Sequence, residues 1–235
     1  MTSLTRLDVE FAIAEGRSLV GADLQAADLR GMELKGVDLS QSNLTGALFV
    51  RADLTRSRLE GAVIDAASFD LCVLERTDLR RVRGSGVSFA HAFLKEAMLD
   101  AASLPGASFE GATLEASSFE KATLPGANFA DADLTKVKLT EAHIERALFH
   151  GAILTGAQLE RARAIGADFS DADLTESSWA GVEAGRTTFV GAIIEGTRFV
   201  KCDFSEADFS GTRVSSTDLH GSVTRGAKLP RAVQG

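Results

Sequence analysis

The sequence predicts an all-β solenoid, a four-sided parallel β-helix, and three observations support this fold class. A large apolar residue recurs at every fifth position from Leu19 to Leu229, over 43 centres without a shift of frame, apart from a few small residues. The residue two positions before each centre is usually small, and 19 of the 22 glycines share the phase that lies two positions after the centres. A period of five fits neither an α-helix nor the alternation of a strand, but it fits a chain that turns a corner every five residues.

The three columns of this pattern have different roles in the predicted coil. The centre and the small residue before it, such as Leu24 and Ala22, alternate along the chain and therefore face inward. The glycines, such as Gly21 and Gly46, stand at the corners, where the backbone turn favours a residue without a Cβ. The remaining positions face solvent.

The number of sides follows from the phenylalanines, because they recur every 20 residues and 20 residues are four pentads. If four sides make one coil, nine rings stack on one face as an internal ladder. The nine are Phe49, Phe69, Phe89, Phe109, Phe129, Phe149, Phe169, Phe189 and Phe209.

The five-residue motif of this chain resembles the motif of the pentapeptide-repeat family, which is a small residue, Asp or Asn, Leu or Phe, any residue and Gly. It is present as Ala22-Asp23-Leu24 and as Ala207-Asp208-Phe209. The resemblance covers residues 17–231 and implies a right-handed quadrilateral β-helix. With coils about 4.8 Å apart, the pentads would form about 11 coils and a rod about 50 Å long.

The two ends of the solenoid differ. Leu4, Leu7, Phe11 and Ala14 have helical spacing and Gly16 is placed to end a helix, so residues 4–15 are predicted to form a short helix within an amino-terminal cap of residues 1–16. A tail of residues 232–235 is too short for a second cap. We expect the carboxyl-terminal coil either to be a self-association surface, which would make a homodimer, or to fray.

Four centres are small, and all four belong to the same face: Gly84, Ala164, Ala184 and Thr224. Trp179 is the neighbouring centre to Ala184, and its large ring is expected to fill the volume that small neighbours leave. The segment around Gly84 predicts either a bulge or a loose regular coil. Its arginines could bind an anionic partner: Arg76, Arg80, Arg81 and Arg83.

No catalytic or cofactor-binding motif is found, and we predict a protein that is not an enzyme and holds no cofactor or metal. Four histidines occupy outward positions without companions at ligand spacing, namely His91, His143, His150 and His220. Cys72 and Cys202 lie in the small inward column, where a thiol acts as an apolar filler, and about seven coils separate them. Because such an interior is filled with Leu, Phe and Ala, function is expected on the outer surface.

The composition also bounds the location and the partners. The amino terminus has acidic residues and no basic leader, and no apolar run reaches the roughly 18 residues that a membrane span needs. We therefore expect a cytoplasmic protein without membrane contact. The net charge of -8 disfavours direct binding of nucleic acid.

Two functional hypotheses remain open. The first is a protein-binding scaffold or adaptor of unknown partner, because apolar residues at outward positions form a predicted patch of Leu48, Val50, Leu71, Val73 and Phe93. Similar residues recur further along at Leu148, Ile153, Val190 and Ile193. The opening segment also resembles bacterial pentapeptide proteins encoded beside type VI secretion genes, which implies an accessory role in secretion.

The second hypothesis is a DNA-mimicking inhibitor or protector of gyrase, which the resemblance to quinolone-resistance members of the family implies. Such a mimic needs an acidic stripe along the rod. Summed over each whole face, the outward charges lie only between +1 and -3. An unbroken repeat also leaves no room for projecting loops.

Overall fold

The computed structural model describes residues 3–230, which form one short helix followed by a continuous β-helix. Each rung of the β-helix is a single-residue parallel bridge between residues 20 positions apart. The bridges run from the pair Asp23 and Asn43 to the pair Asp208 and Lys228 without a change of offset. One coil is therefore 20 residues, as the phenylalanine spacing predicts.

The four faces of the coil are named here by one central residue each, which recurs at intervals of 20. Face 1 contains Phe49, face 2 Leu54, face 3 Leu59 and face 4 Ile64, and all four side chains are fully buried. The backbone of each coil bonds to both neighbours. For example, the Phe49 N–H donates to the Ser68 carbonyl at 2.8 Å in the coil above.

The phenylalanine ladder of face 1 is continuous. Neighbouring rings from Phe49 to Phe209 are nearly parallel, with interplanar angles of 3–9° and centroids 4.5–5.5 Å apart. The Trp179 ring lies on face 3 and meets the edges of this ladder at Phe169 and Phe189. The interior is consequently a packed column of apolar side chains.

Every corner requires the left-handed backbone conformation. Positive φ angles occur at each fifth residue from Gly16 to Gly226, at 19 glycines and at 24 other residues. Leu71, for example, has φ 59° although its Cβ makes this conformation unfavourable. The geometry of the coil therefore imposes the corner conformation on whatever residue stands there.

The segment around Gly84 contains no bulge, because Arg83 bridges Val63 below and Ser103 above in the ordinary register. A buried glycine is required here by close approach, since a Cβ on Gly84 would lie 2.8 Å from the carbonyl carbon of Ile64. The alternative of an extra residue in the coil is thus wrong.

Helix α1 spans Arg6–Ala14, two residues shorter at the amino end and one at the carboxyl end than residues 4–15. Thr5 is its N-cap and forms a capping box with Asp8. The side that packs against the coils consists of Val9 and Ala12, both buried in the same core as the repeat. Leu7 and Phe11, which the helical spacing singles out, lie on the other side and are 73% and 55% exposed.

Candidate interaction surfaces

Several polar side chains of the interior donate to backbone carbonyls. The Thr77 hydroxyl donates to the Leu54 carbonyl at 2.8 Å, and the Cys72 thiol donates to the Phe49 carbonyl at 2.6 Å, each one coil below. Burial raises the pKa of Cys72 to about 12 and that of Cys202 to about 11, so both thiols stay protonated at neutral pH. Neither is placed to act as a nucleophile.

The outer surface of residues 3–230 contains no group of three or more His, Cys, Asp or Glu side chains that could hold a metal ion. Shallow grooves lie on face 4, and one of them is lined by Glu183, Arg186, Asp203 and Glu206 around Gly185. No helix in this part of the chain has the length and apolar character needed to cross a bilayer.

The predicted apolar patch is only partly brought together. Val73 and Phe93 are bridged neighbours on face 2, and Leu71 stands at the corner beside Val73. Phe93 is 47% exposed and Leu71 is also exposed, whereas Val73 is half-buried. These three residues form a compact surface, which we call the Phe93 patch.

The other two predicted members lie one coil earlier on face 1. Leu48 is exposed and Val50 half-buried. In its own column Leu48 is bridged to Asp28 and Ser68, so it has polar neighbours above and below. It therefore extends the patch around the corner rather than forming its centre.

The arginines near Gly84 are mostly neutralised by acidic neighbours. The Arg80 guanidinium donates two hydrogen bonds to the Asp78 carboxylate, at 2.8 and 2.7 Å, and that of Arg81 donates to the Glu60 carboxylate at 3.0 Å. Burial acts to raise the pKa of Asp78, but the Arg80 hydrogen bonds and charge outweigh it and lower that pKa. Arg76 pairs in the same way with Glu96 at 2.7 Å.

Arg83 is the exception, since no ion pair joins it to another residue between positions 3 and 230. An anionic partner would have to displace carboxylates from three of the four guanidinium groups. The geometry therefore supports an anion site here less well than the sequence does.

A second apolar set lies among acidic residues on faces 1 and 2. Ile153 is bridged to Asp133 below and Asp173 above, and Asp173 is bridged in turn to Ile193. Leu148, Ile153 and Val190 are exposed. Summing charges over a whole face hides this local grouping, because the acidic residues are concentrated in these coils.

The carboxyl-terminal coil differs from those before it. Its inward residues Val214 and Leu219 are only partly buried. From Leu24 to Phe209 the N–H of each centre and corner except Gly86 donates to the coil above, but no such bond is formed by the later centres and corners of the described part: Gly211, Val214, Ser216, Leu219, Gly221, Thr224 and Gly226. This end offers both apolar surface and unpaired backbone donors. The predicted tail of residues 232–235 lies outside the described residues.

Sequence reasoning missed the exposed side of helix α1. Leu7, Phe11 and Ala14 lie on one side of the helix, at spacings of four and three residues, and all three are exposed. The signal was present in the sequence, because α1 carries apolar residues on two sides rather than one.

The comparisons with known proteins agree with this architecture. The family model described as pentapeptide repeats matches in 8 copies, covering residues 2–41, 18–56, 33–70, 85–115, 107–151, 142–178 and 185–221. No curated protein matches the sequence at a significant level.

Among solved structures, the chain is similar to HetL, a pentapeptide repeat protein involved in heterocyst differentiation regulation in the cyanobacterium Nostoc sp. Strain PCC 7120. The two are 21% identical, the match covers 98% of each chain, and the TM-score is 0.63. QnrB1, a plasmid-mediated fluoroquinolone resistance protein, is 20% identical over 77% of this chain and 88% of its own, with a TM-score of 0.37.

The likeness to HetL extends from one end of the chain to the other and shows the fold, a right-handed β-helix. The family model matches well over half of the residues, and the 20-residue coil with its internal phenylalanine ladder is the architecture that such repeats build. This chain therefore belongs to the pentapeptide-repeat family.

Proposed function

We propose that the protein is a non-catalytic scaffold or adaptor that binds another protein through the outer faces of its rod. The observation that carries the proposal is the Phe93 patch, an exposed aromatic ring beside Leu71 and Val73 on a rod whose interior is filled. Aromatic side chains with apolar neighbours are frequent at the centres of protein interfaces. An accessory protein of a bacterial secretion system would use such a surface to bind its partner.

The Phe93→Glu variant tests this proposal. We expect it to lose the partner that the wild-type protein captures from an extract of its own organism, because a carboxylate at the centre of an apolar contact would be buried without a partner. The measurement is quantitative mass spectrometry of proteins captured on immobilised wild type and variant.

The matched control is Thr123→Glu, which adds the same charge at the equivalent exposed position of a pentad on face 4. Its captured proteins should equal those of the wild type. If every captured protein survives Phe93→Glu, the Phe93 patch is not the docking site. If the wild type inhibits gyrase supercoiling at an equimolar dose, the DNA-mimic alternative replaces the scaffold.

We also propose that two copies of the chain meet at the carboxyl-terminal coil. Helix α1 lies over the first coil with Val9 and Ala12 buried, which opposes head-to-tail growth of a filament. A surface that pairs with its own copy gives a closed dimer instead. The partly buried Val214 and Leu219 and the unpaired N–H groups of this coil are the features that a second copy would cover.

Light scattering coupled to gel filtration tests the dimer, for which the expected mass is twice the 24.8 kDa of one chain. Leu219→Lys should give the monomer mass, because it places a charge in the apolar contact. Val223→Lys, which changes an exposed residue on the outside of the same coil, should leave the dimer intact. A monomeric wild type at high micromolar concentration, or a Leu219→Lys dimer, would contradict this proposal.

A further inference from the structure

The exposed side of helix α1 is not needed for its contact with the rod. Val9 and Ala12 make that contact and are 0% and 8% exposed. At 100° per residue, Leu7, Phe11 and Ala14 point to the opposite side of the helix. We call these three residues the outer stripe.

The outer stripe has the spacing by which one helix packs against another. Its members follow each other at four and three residues, the order of successive core positions in a coiled coil. Leu7 and Phe11 are the two most exposed large apolar side chains in the part of the chain that the structure describes. Two such side chains side by side on one short helix form a contact surface rather than scattered exposure.

Acidic residues border the outer stripe on both edges. Asp8 and Glu15 lie along one edge and Glu10 along the other. Asp8 accepts from the Thr5 backbone in the capping box, and Glu10 pairs with Arg6 at 2.8 Å. The hydrogen bonds from Thr5 lower the pKa of Asp8, so this carboxylate is charged at neutral pH.

These borders disfavour a second copy of the same helix. In an antiparallel pair the bordering positions face their own kind, and in a parallel pair Glu10 of one copy would face Glu15 of the other. Either arrangement places acid against acid. A helix with lysine or arginine beside its apolar residues would instead meet the opposite charges of Asp8 and Glu15 along one edge, while Glu10 on the other edge pairs with Arg6.

Arg17 closes one end of the surface. Its guanidinium carbon lies 4.5 Å from the centroid of the Phe11 ring, a cation–π contact. The ring remains 55% exposed, so Arg17 orients Phe11 without covering it.

We propose that the outer stripe of α1 binds an amphipathic helix of a partner protein, in which basic residues border the apolar side. This site goes beyond the Phe93 patch, because it lies at the amino-terminal end of the rod and uses none of the same residues. The two surfaces can therefore be tested separately.

The probe is a synthetic peptide of three heptads, with leucine at the two core positions of each heptad and lysine at the positions that border them. A second peptide carries glutamate in place of each lysine. Binding of the fluorescently labelled peptides to the full chain is measured by anisotropy at low and at physiological salt. The lysine peptide should bind at least about tenfold more tightly than the glutamate peptide.

Leu7→Glu is the informative variant, because it removes an apolar contact and adds a negative charge. If long-range charge alone attracts the lysine peptide, this variant binds it as tightly as the wild type or more tightly. If the outer stripe is the docking site, affinity falls by about tenfold or more. Circular dichroism should be unchanged, since Leu7 is exposed, and Phe11→Ala provides a second variant without a change of charge.

Leu148→Glu is the matched control, an exposed leucine on the body of the rod, outside the Phe93 patch, changed to the same residue. It should leave peptide affinity within about twofold of the wild type. Equal binding of both peptides would overturn the proposal, and so would undiminished binding by Leu7→Glu and Phe11→Ala. Loss of the captured partner in Phe93→Glu with peptide binding intact separates this inference from the proposed function.

Discussion

Replacing Phe129 with alanine should lower the free energy of unfolding by about 3–5 kcal/mol, because it leaves a cavity in the middle of the phenylalanine ladder. The Phe129 ring is fully buried and lies parallel to Phe109 and Phe149, with centroids 4.8 Å away on each side. The edge of the Phe119 ring closes a third side at 5.9 Å. Coils bonded above and below leave little freedom for the site to collapse.

The measurement is unfolding in guanidinium chloride followed by far-ultraviolet circular dichroism and by the fluorescence of Trp179. Phe93→Ala is the matched control, since it removes the same ring from the outside of the rod and should cost less than about 0.5 kcal/mol. Similar losses in the two variants would contradict a continuous internal ladder. Separate transitions by the two probes in Phe129→Ala would show that the solenoid has split into independently unfolding parts.

Replacing Gly84 with alanine should also destabilise the protein, by about 1–3 kcal/mol, although alanine is the commoner residue in such an interior. The added Cβ would lie 2.8 Å from the Ile64 carbonyl carbon and 2.9 Å from the Asp65 nitrogen. Both atoms belong to the backbone of the coil below and cannot rotate away. The coils must separate locally, which weakens the bridges on either side of the site.

For Gly185→Ala, on the same face, we expect no loss of stability. Its added Cβ would meet only the Ser205 carbonyl oxygen at 3.6 Å, an ordinary contact, and its φ lies outside the left-handed region. Alanine there should be neutral or stabilise by up to about 1 kcal/mol, because it restricts the unfolded chain. Unfolding in guanidinium chloride measures the stability of both variants. If Gly84→Ala were as stable as Gly185→Ala, the close approach of the coils at Gly84 would be contradicted.

The period of five and the phenylalanine spacing of 20 were enough to predict the coil, its four sides and its inward residues. This is possible because each residue in a solenoid meets the same column of neighbours, so a linear repeat determines the contacts. Leu24 and Phe49 could be placed inside from their positions alone, and both are fully buried. The inward placement of Cys72 followed from the same rule.

The candidate surfaces were less predictable. Leu71, Val73 and Phe93 could be expected on the outside, but only the bridges place Val73 directly beside Phe93 and Leu48 between polar neighbours. The pairing of Arg80 with Asp78 depends on side-chain directions that a repeat pattern does not contain.

What the sequence by itself determined is therefore the repeating part of the protein: the register, the faces and the identity of the core. Tertiary structure alone decided which side of α1 meets the rod and where the backbone of one coil approaches the next. Helical spacing groups Leu7 with Phe11, but it does not determine which of the two apolar sides of the helix packs against the rod. That depends on how the chain enters the first coil, where the Leu4 N–H donates to the Asp23 carbonyl at 2.7 Å. The close contact at Gly84 likewise arises between residues 20 positions apart, at a distance that only the packed coils define.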